Sequence, residues 1–273
     1  MAAIAEIRPG QSVELLKELH ILTRDGRLNQ DSRRKLKQVF HLCGFIEPLI
    51  GEVRAGGRDP IVVDHGAGKS YLGFLLYDLF LKPPVGGVVH GIETRSELVA
   101  KARALADRLG FDRMRFHGIA AADAIESADI PADVDIVTAL HACDTATDDA
   151  LRFALMRRAR FVVLVPCCQA EVAAALRVGK SDALSRGALG ELWRHPIHTR
   201  EFGSLVTNVL RCLLLEAHGY RVSVTELVGW EHSLKNELIV ARREGGPRGN
   251  AGERAIRILE ELGLGELAWR FAY

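Results

Sequence analysis

The sequence lacks an excess of either charge and has no long apolar run. Its 273 residues include 36 Lys and Arg against 35 Asp and Glu. This balance excludes a surface that is basic all over, although a local basic patch is compatible with it. No run approaches the ~20 apolar residues of a membrane-spanning helix, and no signal-peptide core is visible near the N-terminus. We therefore expect no association with membranes.

Cysteine is also scarce, and its count is odd. The five cysteines have no spacing typical of a disulfide framework. This pattern indicates a reducing compartment, so we expect a cytoplasmic protein. The apolar fraction of 48% and charged fraction of 26% are those of an ordinary globular domain. The length suffices for one large α/β domain with helical additions.

A glycine-rich turn is the segment around which the chain is organised. Residues 61–63 form a short apolar run that predicts a buried strand, and helical spacing of apolar residues begins at Tyr71. Between them stand Asp64, Gly66 and Gly68. A strand, a glycine turn and a helix present bare backbone N–H groups, and the glycines permit close approach of a ligand. The segment therefore predicts a site for the polar end of a nucleotide-like cofactor.

Two nucleotide-binding motifs are incomplete in this turn. A P-loop requires a glycine where Val63 stands, and a dinucleotide fingerprint requires one where Tyr71 stands. The pattern Asp-x-Gly-x-Gly remains. It resembles the turn of class I S-adenosylmethionine (SAM) methyltransferases, which holds the methionine part of the cofactor. A tight turn without a ligand is the alternative.

Two positions after later strands suit the rest of such a cofactor. Glu93 ends the second predicted strand, where an acidic residue in nucleotide-binding folds accepts hydrogen bonds from ribose hydroxyls. The alternative is a carboxylate that interacts with the dipole of the next helix, which residues 94–97 are expected to open as a capping box. Ile119 follows the third predicted strand, Met114–His117, where an adenine ring would lie.

The order of predicted elements indicates a doubly wound, Rossmann-like α/β fold. Only about ten residues separate the last two strands, so these are expected to pair antiparallel. Residues 178–203 are irregular and are expected to form a lid or substrate loop. We predict a helical region at 1–56, a seven-stranded methyltransferase domain at 57–243, and a linker with a helix at 244–273. The predicted strands are 61–63, 88–93, Met114–His117, 134–140, Phe161–Val165, 221–228 and 238–241; the predicted helices are 12–20, 31–54, 71–81, 96–109, Thr145–Met156, 205–217 and 255–271.

Two paired signatures carry a resemblance to a known family. They are His141-Ala142-Cys143-Asp144 and Pro166-Cys167-Cys168-Gln169. Across about residues 33–243 the chain resembles class I SAM-dependent methyltransferases, and within them a methyltransferase-domain family whose substrates are poorly defined. It is distantly similar to tRNA 2′-O-methyltransferases that pair a His-Leu-Cys-Gly motif with a later Cys-Cys-His. Those enzymes' zinc-binding modules have no counterpart here, and Asp144 replaces their glycine. The resemblance implies S-adenosyl-L-methionine as cofactor and RNA as an acceptor.

The carboxyl ends of the strands should gather these residues around one crevice. Asp144 and His141 are the candidate bases or acceptor-orienting groups. Capping of the following helix is the alternative role for Asp144, and lining of the cofactor pocket is the alternative for His141. The predicted cofactor-binding residues are Asp64, Gly66, Gly68, Glu93, Ile119, Leu140 and His141, and the predicted substrate-binding residues are Cys143, Cys167, Gln169, Lys235 and Asn236.

The clustered cysteines leave three interpretations open. Cys143, Cys167 and Cys168 with His141 have the types and number of a tetrahedral zinc site, but their spacing is no metal motif. Cys167 or Cys168 would alternatively act as a nucleophile on a pyrimidine ring. The favoured interpretation is that these are small residues packed beneath the ligand, so we predict no metal.

We expect a SAM-dependent methyltransferase. RNA (tRNA or rRNA) is the favoured acceptor because of the resemblance and because Arg33, Arg34, Lys35 and Lys37 make the start of the second helix basic. A small molecule is the second candidate, since net charge is near zero. A non-catalytic SAM-fold binding module is the alternative from another class. A nicotinamide-dependent oxidoreductase is disfavoured by the missing glycine and the terminal hairpin. The oligomeric state is left open.

Overall fold

The computed structural model describes residues 7–140, 142, 144–166, 169–178, 188–227 and 237–271. Within them the chain alternates strands and helices around one sheet. Its strands are β1 (Ile61–His65), β2 (Val88–Ile92), β3 (Met114–His117), β4 (Ile136–Leu140), β5 (Phe161–Val165), β6 (Tyr220–Glu226) and β7 (Glu237–Arg243). Its helices are α1 (Val13–Glu18), α2 (Gln30–Ala55), α3 (Tyr71–Leu76), α4 (Ser96–Leu109), α5 (Thr145–Met156), α6 (Glu171–Val178), α7 (Pro196–Ala217), α8 (Ala251–Glu261) and α9 (Ala268–Phe271).

The sheet has the order β3-β2-β1-β4-β5-β7-β6. Strands β1 to β5 pair in parallel, whereas β7 runs antiparallel to both β5 and β6. The described part of the chain thus forms the predicted doubly wound sheet of seven strands, and the expected terminal hairpin is confirmed. Successive strands in this order lie on both sides of β1, which creates a crevice between the carboxyl ends of β1 and β4.

Helices cover both faces of the sheet and build three apolar clusters. Buried side chains of α2, α3 and α4 pack on one face, and those of α5 and α7 pack on the other. A third cluster joins α6, α7, α8 and α9, where Leu210, Ala255 and Leu259 are buried. No helix in the described ranges is long and apolar enough to cross a membrane. The proposed division into domains stays a prediction.

Several helix boundaries differ from the predictions. The expected lid segment is partly helical, because α7 begins at Pro196 and continues without a break to Ala217. Proline suits this first helical position since its missing N–H would have no partner there. The helix predicted for 71–81 ends in a π-helical turn over Tyr77–Leu81. The last predicted helix is interrupted after α8, where Gly263 has a φ of 65°.

The predicted capping box at 94–97 is wrong. The residue that precedes α4 is Arg95, and its side chain makes no cap hydrogen bond. The carboxylate of Glu93 instead accepts the hydrogen bond from the backbone N–H of Arg95, at 3.0 Å. The predicted end of α4 is confirmed, since Gly110 adopts a φ of 67°.

Candidate cofactor and acceptor site

The glycine turn lies at the carboxyl end of β1, beside the crevice. Gly66 and Gly68 have φ angles of 61° and 59°, which only glycine adopts without strain. A Cβ on Gly66 would lie 3.3 Å from the Cβ of Ala142, which follows β4. The turn is fixed to the end of β2, because Ala67 N donates to Ile92 O at 3.0 Å. It therefore presents bare backbone close to the ends of β2 and β4.

Asp64 is the buried carboxylate of this turn. It is 3% exposed and accepts a hydrogen bond of 2.7 Å from the Thr138 hydroxyl of β4. Burial raises the pKa of the Asp64 carboxyl to about 7, and the Thr138 hydrogen bond opposes that rise only in part. A buried carboxylate is stabilised in its charged form by a nearby cation. The position of Asp64 fits the ammonium group of a methionine moiety.

Glu93 lies just after β2 and joins the glycine turn through a hydrogen bond. Its Oε2 accepts from Gly68 N at 2.8 Å and from Arg95 Nη2 at 3.0 Å. Its Oε1 accepts from Arg95 N at 3.0 Å and from Arg95 Nε at 2.9 Å. The Arg95 side chain thereby lowers the pKa of Glu93 to about 2, against the effect of burial.

A carboxylate offers about four lone-pair positions, and Glu93 already accepts four hydrogen bonds. Ribose hydroxyls would therefore reach Glu93 only after the Arg95 guanidinium moves. That movement is feasible, because the Arg95 side chain is 60% exposed. The residues present fit a ribose on this condition. Leu140 and Ile119 are both half-buried near neighbouring strand ends, and each packs against a core cluster.

Asp144 begins the segment between β4 and α5 in a strained backbone conformation, with φ 50° and ψ −122°. It occupies the N-cap position of α5, but its side chain makes no cap hydrogen bond to that helix. The carboxylate caps α6 instead: Oδ1 accepts from Ala170 N at 2.9 Å and from Glu171 N at 3.4 Å. The other oxygen has no partner among the described residues. The predicted alternative role as cap of α5 is therefore wrong, and Asp144 connects the ends of β4 and β5.

A buried polar network beneath Asp144 was not predicted. The Arg211 side chain of α7 is fully buried and donates to Asp148 of α5 at 2.6 and 2.9 Å. It also donates to the backbone oxygen of Asp144 at 3.0 Å and to Asn208 Oδ1 at 3.1 Å. This network fixes the strained backbone of Asp144. The available signal was a pair of polar residues, Asn208 and Arg211, within a strongly apolar helix.

The network continues through Gln169, one of the predicted substrate-binding residues. Gln169 is 5% exposed, and its amide donates to Asn208 at 3.3 Å and accepts from Ser204 at 2.6 Å. Asn208 in turn donates to Glu237 Oε2 at the start of β7, at 2.6 Å. The structure thus gives Gln169 a position that connects β5, α7 and β7 beneath the crevice.

Five predicted site residues lie outside the described residues: His141, Cys143, Cys167, Lys235 and Asn236. The chain enters these positions at the ends of β4 and β5 and just before β7. The zinc and nucleophile hypotheses concern only His141, Cys143, Cys167 and Cys168, so they also lie outside the described part. Among the described residues no group of three His, Cys, Asp or Glu side chains could hold a metal ion.

A parallel sheet with a reversed terminal strand and a glycine turn at its crevice is the architecture of the class I methyltransferases. Residues 34–175 match the family described as Methyltransferase domain, which is slightly more than half of the chain. The chain belongs to this family. It is a SAM-dependent methyltransferase, and its cofactor is S-adenosyl-L-methionine. A comparison with curated proteins found no match.

Solved structures with a similar fold include three methyltransferase-related proteins. Magnesium protoporphyrin IX methyltransferase from Synechocystis PCC 6803, with bound S-adenosylhomocysteine (SAH), is 14% identical over 85% of this chain and 93% of that one, with a TM-score of 0.46. A fibrillarin/Nop5p complex is 15% identical over 72% and 81%, with a TM-score of 0.45. An rRNA methylase from Streptococcus thermophilus is 10% identical over 68% and 88%, with a TM-score of 0.42. Such identities transfer no substrate.

Proposed function

We propose that this methyltransferase acts on RNA (tRNA or rRNA), and that Asp144 orients or deprotonates the acceptor group. The observation that carries the role of Asp144 is the division of labour between its two oxygens. One caps α6, and the other has no partner in the described structure. Asp144 is half-buried and lies two residues from Ala142, which contacts the glycine turn. A hydrogen-bonded but incompletely satisfied carboxylate at this place suits an acceptor hydroxyl or amine.

Cofactor binding in this proposal uses the residues at the ends of β1 and β2. The Asp64 carboxylate faces the cofactor's ammonium group, Gly66 and Gly68 give it room, and Glu93 accepts from the ribose hydroxyls once Arg95 has moved. Leu140 and Ile119 contribute apolar surface. When bound, the cofactor supplies an activated methyl group on a sulfonium. The protein then has to align the acceptor and exclude water, and neither task requires a covalent intermediate.

The orientation of α2 supports RNA as the acceptor. The C-terminal end of α2 lies at the amino edge of the sheet, because Glu52 accepts from Arg160 at 2.5 Å and Arg54 donates to Gly86 O at 3.0 Å. A helix of 26 residues is about 39 Å long. Its basic first turns, with Arg33 and Lys37 exposed, therefore extend away from that edge, toward the strand ends that hold Asp144. Positive side chains beside an acceptor site attract phosphates.

A small-molecule acceptor is the second candidate. The 36 basic and 35 acidic residues give the chain no overall attraction for a polyanion. The crevice would then take a metabolite that carries its own hydroxyl or amine. A non-catalytic module that only binds SAM is the third interpretation.

Transfer of tritiated methyl groups from SAM to separate tRNA, rRNA and metabolite fractions tests the proposal. We expect label in an RNA fraction, and a loss of about 10²–10⁴-fold with Asp144→Asn, the usual contribution of an acid–base group. SAH binding should be unchanged in that variant. Asp107→Asn, an exposed position on α4, is the matched control. Label only in metabolites would contradict RNA, and normal SAH binding without any transfer would favour the binding module.

A further inference from the structure

A second site lies at the opposite edge of the sheet from the crevice. A cavity of about 720 Å³ opens between the end of α2, the end of α5, the start of β5 and the end of β7. These are the amino ends of the parallel strands, so the cavity is separate from the cofactor residues. Five arginines line it: Arg58, Arg157, Arg158, Arg160 and Arg243.

Three of these arginines are engaged by the protein. Arg157 donates to the backbone oxygens of Ile125 and Ser127 at 2.8 and 2.9 Å. Arg160 donates to the Glu52 carboxylate, and Arg58 lies 3.6 Å from Asp135. Their roles are explained by the fold.

Arg158 and Arg243 have no such explanation. Neither side chain forms a hydrogen bond or ion pair with any described residue. Both positive charges act on the buried phenol of Tyr220, so the two guanidinium groups lie close together. Arg158 also follows the C-cap of α5 with a φ of 51°, a position that usually holds glycine. An L-residue in this conformation costs about 1–2 kcal/mol. The sequence keeps a charged side chain there at the expense of stability.

Carboxylates also line the cavity, and their placement decides its charge. Asp135 is buried, and it is satisfied by Ile61 N at 2.9 Å and by Arg58. Glu126 and Asp133 are exposed. Five arginines against three carboxylates leave the lining a formal charge of +2. The lining therefore favours an anionic ligand with several oxygens, and the planar guanidinium matches phosphate oxygens in pairs.

We propose that this cavity binds the phosphate backbone of the RNA acceptor, an inference that rests on the proposed function. The five-residue strands separate the two edges by about 17 Å, which a few nucleotides cover at about 3.4 Å each. One RNA can thus contact Arg158 and Arg243 while its target nucleotide lies at Asp144. The two arginines hold the RNA, and Asp144 acts on the target group.

The double variant Arg158→Gly/Arg243→Gln tests this site. Glycine relieves the backbone strain at position 158, so a structural role predicts unchanged or higher stability and unchanged RNA binding. The proposal predicts weaker binding of labelled bulk tRNA. The slope of log K against log salt concentration should fall by about 1.4–1.8, or 0.7–0.9 for each lost phosphate contact. Lys101→Gln/Arg257→Gln removes the same charge from exposed, unpaired positions on α4 and α8 and is the control.

Each outcome decides between the site and its alternatives. A slope and an affinity equal to those of the control variant would overturn the RNA-binding cavity. Loss of SAH binding in the double variant would also overturn it, because that result would show damage at the other edge. If the cavity holds tRNA as predicted but the wild-type protein transfers no methyl group to RNA, the proposed function fails while the site stands.

Discussion

Truncation of Asp148 to alanine is expected to destabilise the protein strongly. The Asp148 side chain is 8% exposed and that of Arg211 is 0% exposed, so this ion pair is almost wholly removed from water. Asp148→Ala leaves the guanidinium buried. Arg211 then keeps only the two neutral acceptors, Asn208 Oδ1 and the backbone oxygen of Asp144.

Two independent magnitudes agree for this change. Breaking a buried ion pair by removal of one partner costs about 3–5 kcal/mol. The two charge-assisted hydrogen bonds lost, at 2.6 and 2.9 Å, are worth about 1.5–3 kcal/mol each. We therefore expect the free energy of unfolding to fall by about 3–5 kcal/mol, a large part of the about 5–15 kcal/mol of a typical domain.

Urea unfolding followed by circular dichroism measures this loss. Asp149→Ala is the matched control: Asp149 is the next residue, is half-buried, and forms no ion pair with a described residue, so its removal should change stability little. The double variant Asp148→Leu/Arg211→Met should recover most of the loss, because apolar residues can replace a buried ion pair. A loss below about 1 kcal/mol in Asp148→Ala, the scale of an exposed pair, would refute the reasoning.

Further predictions concern the cofactor residues, all measured by calorimetric titration with SAH. Glu93→Ala should weaken binding by about 1.5–3 kcal/mol, the value of hydrogen bonds to a charged group, whereas Arg95→Ala should tighten it by removing a competitor for Glu93; equal affinities in both would contradict the ribose role. Burial favours the neutral form of Asp64 below its pKa of about 7, so binding should be about tenfold weaker at pH 6 than at pH 8, and Asp64→Asn should abolish this dependence. Gly66→Ala should weaken binding, while Gly249→Ala, with a similar φ of 56° but no atom within 4 Å of the added Cβ, should not.

The sheet was predictable because its signals are local. The bounds of β3, α5 and β5 agree with the prediction to the residue, since apolar runs between turn residues define them. The short connection before β7 was enough to predict an antiparallel pair. The glycine turn could be placed at the carboxyl end of β1 because glycines directly follow a buried strand.

The polar interior was not predictable because its partners are distant in sequence. Arg211 and Asp148 lie 63 positions apart, and only the packing of α7 on α5 brings them together. The carboxylate of Asp144 caps α6 rather than its own helix, which depends on how β4 and β5 align. The competition between Arg95 and ribose for Glu93 is likewise a matter of side-chain geometry, which the order of residues does not reveal.

Calorimetric titration of the wild-type protein with SAH, with NADH and ATP as controls, tests the central claim most directly. The turn at Gly66 and Gly68, with Asp64 and Glu93 beside it, predicts micromolar binding of SAH and none of the two controls. Absence of SAH binding, in protein shown to carry no copurified cofactor, would contradict the account.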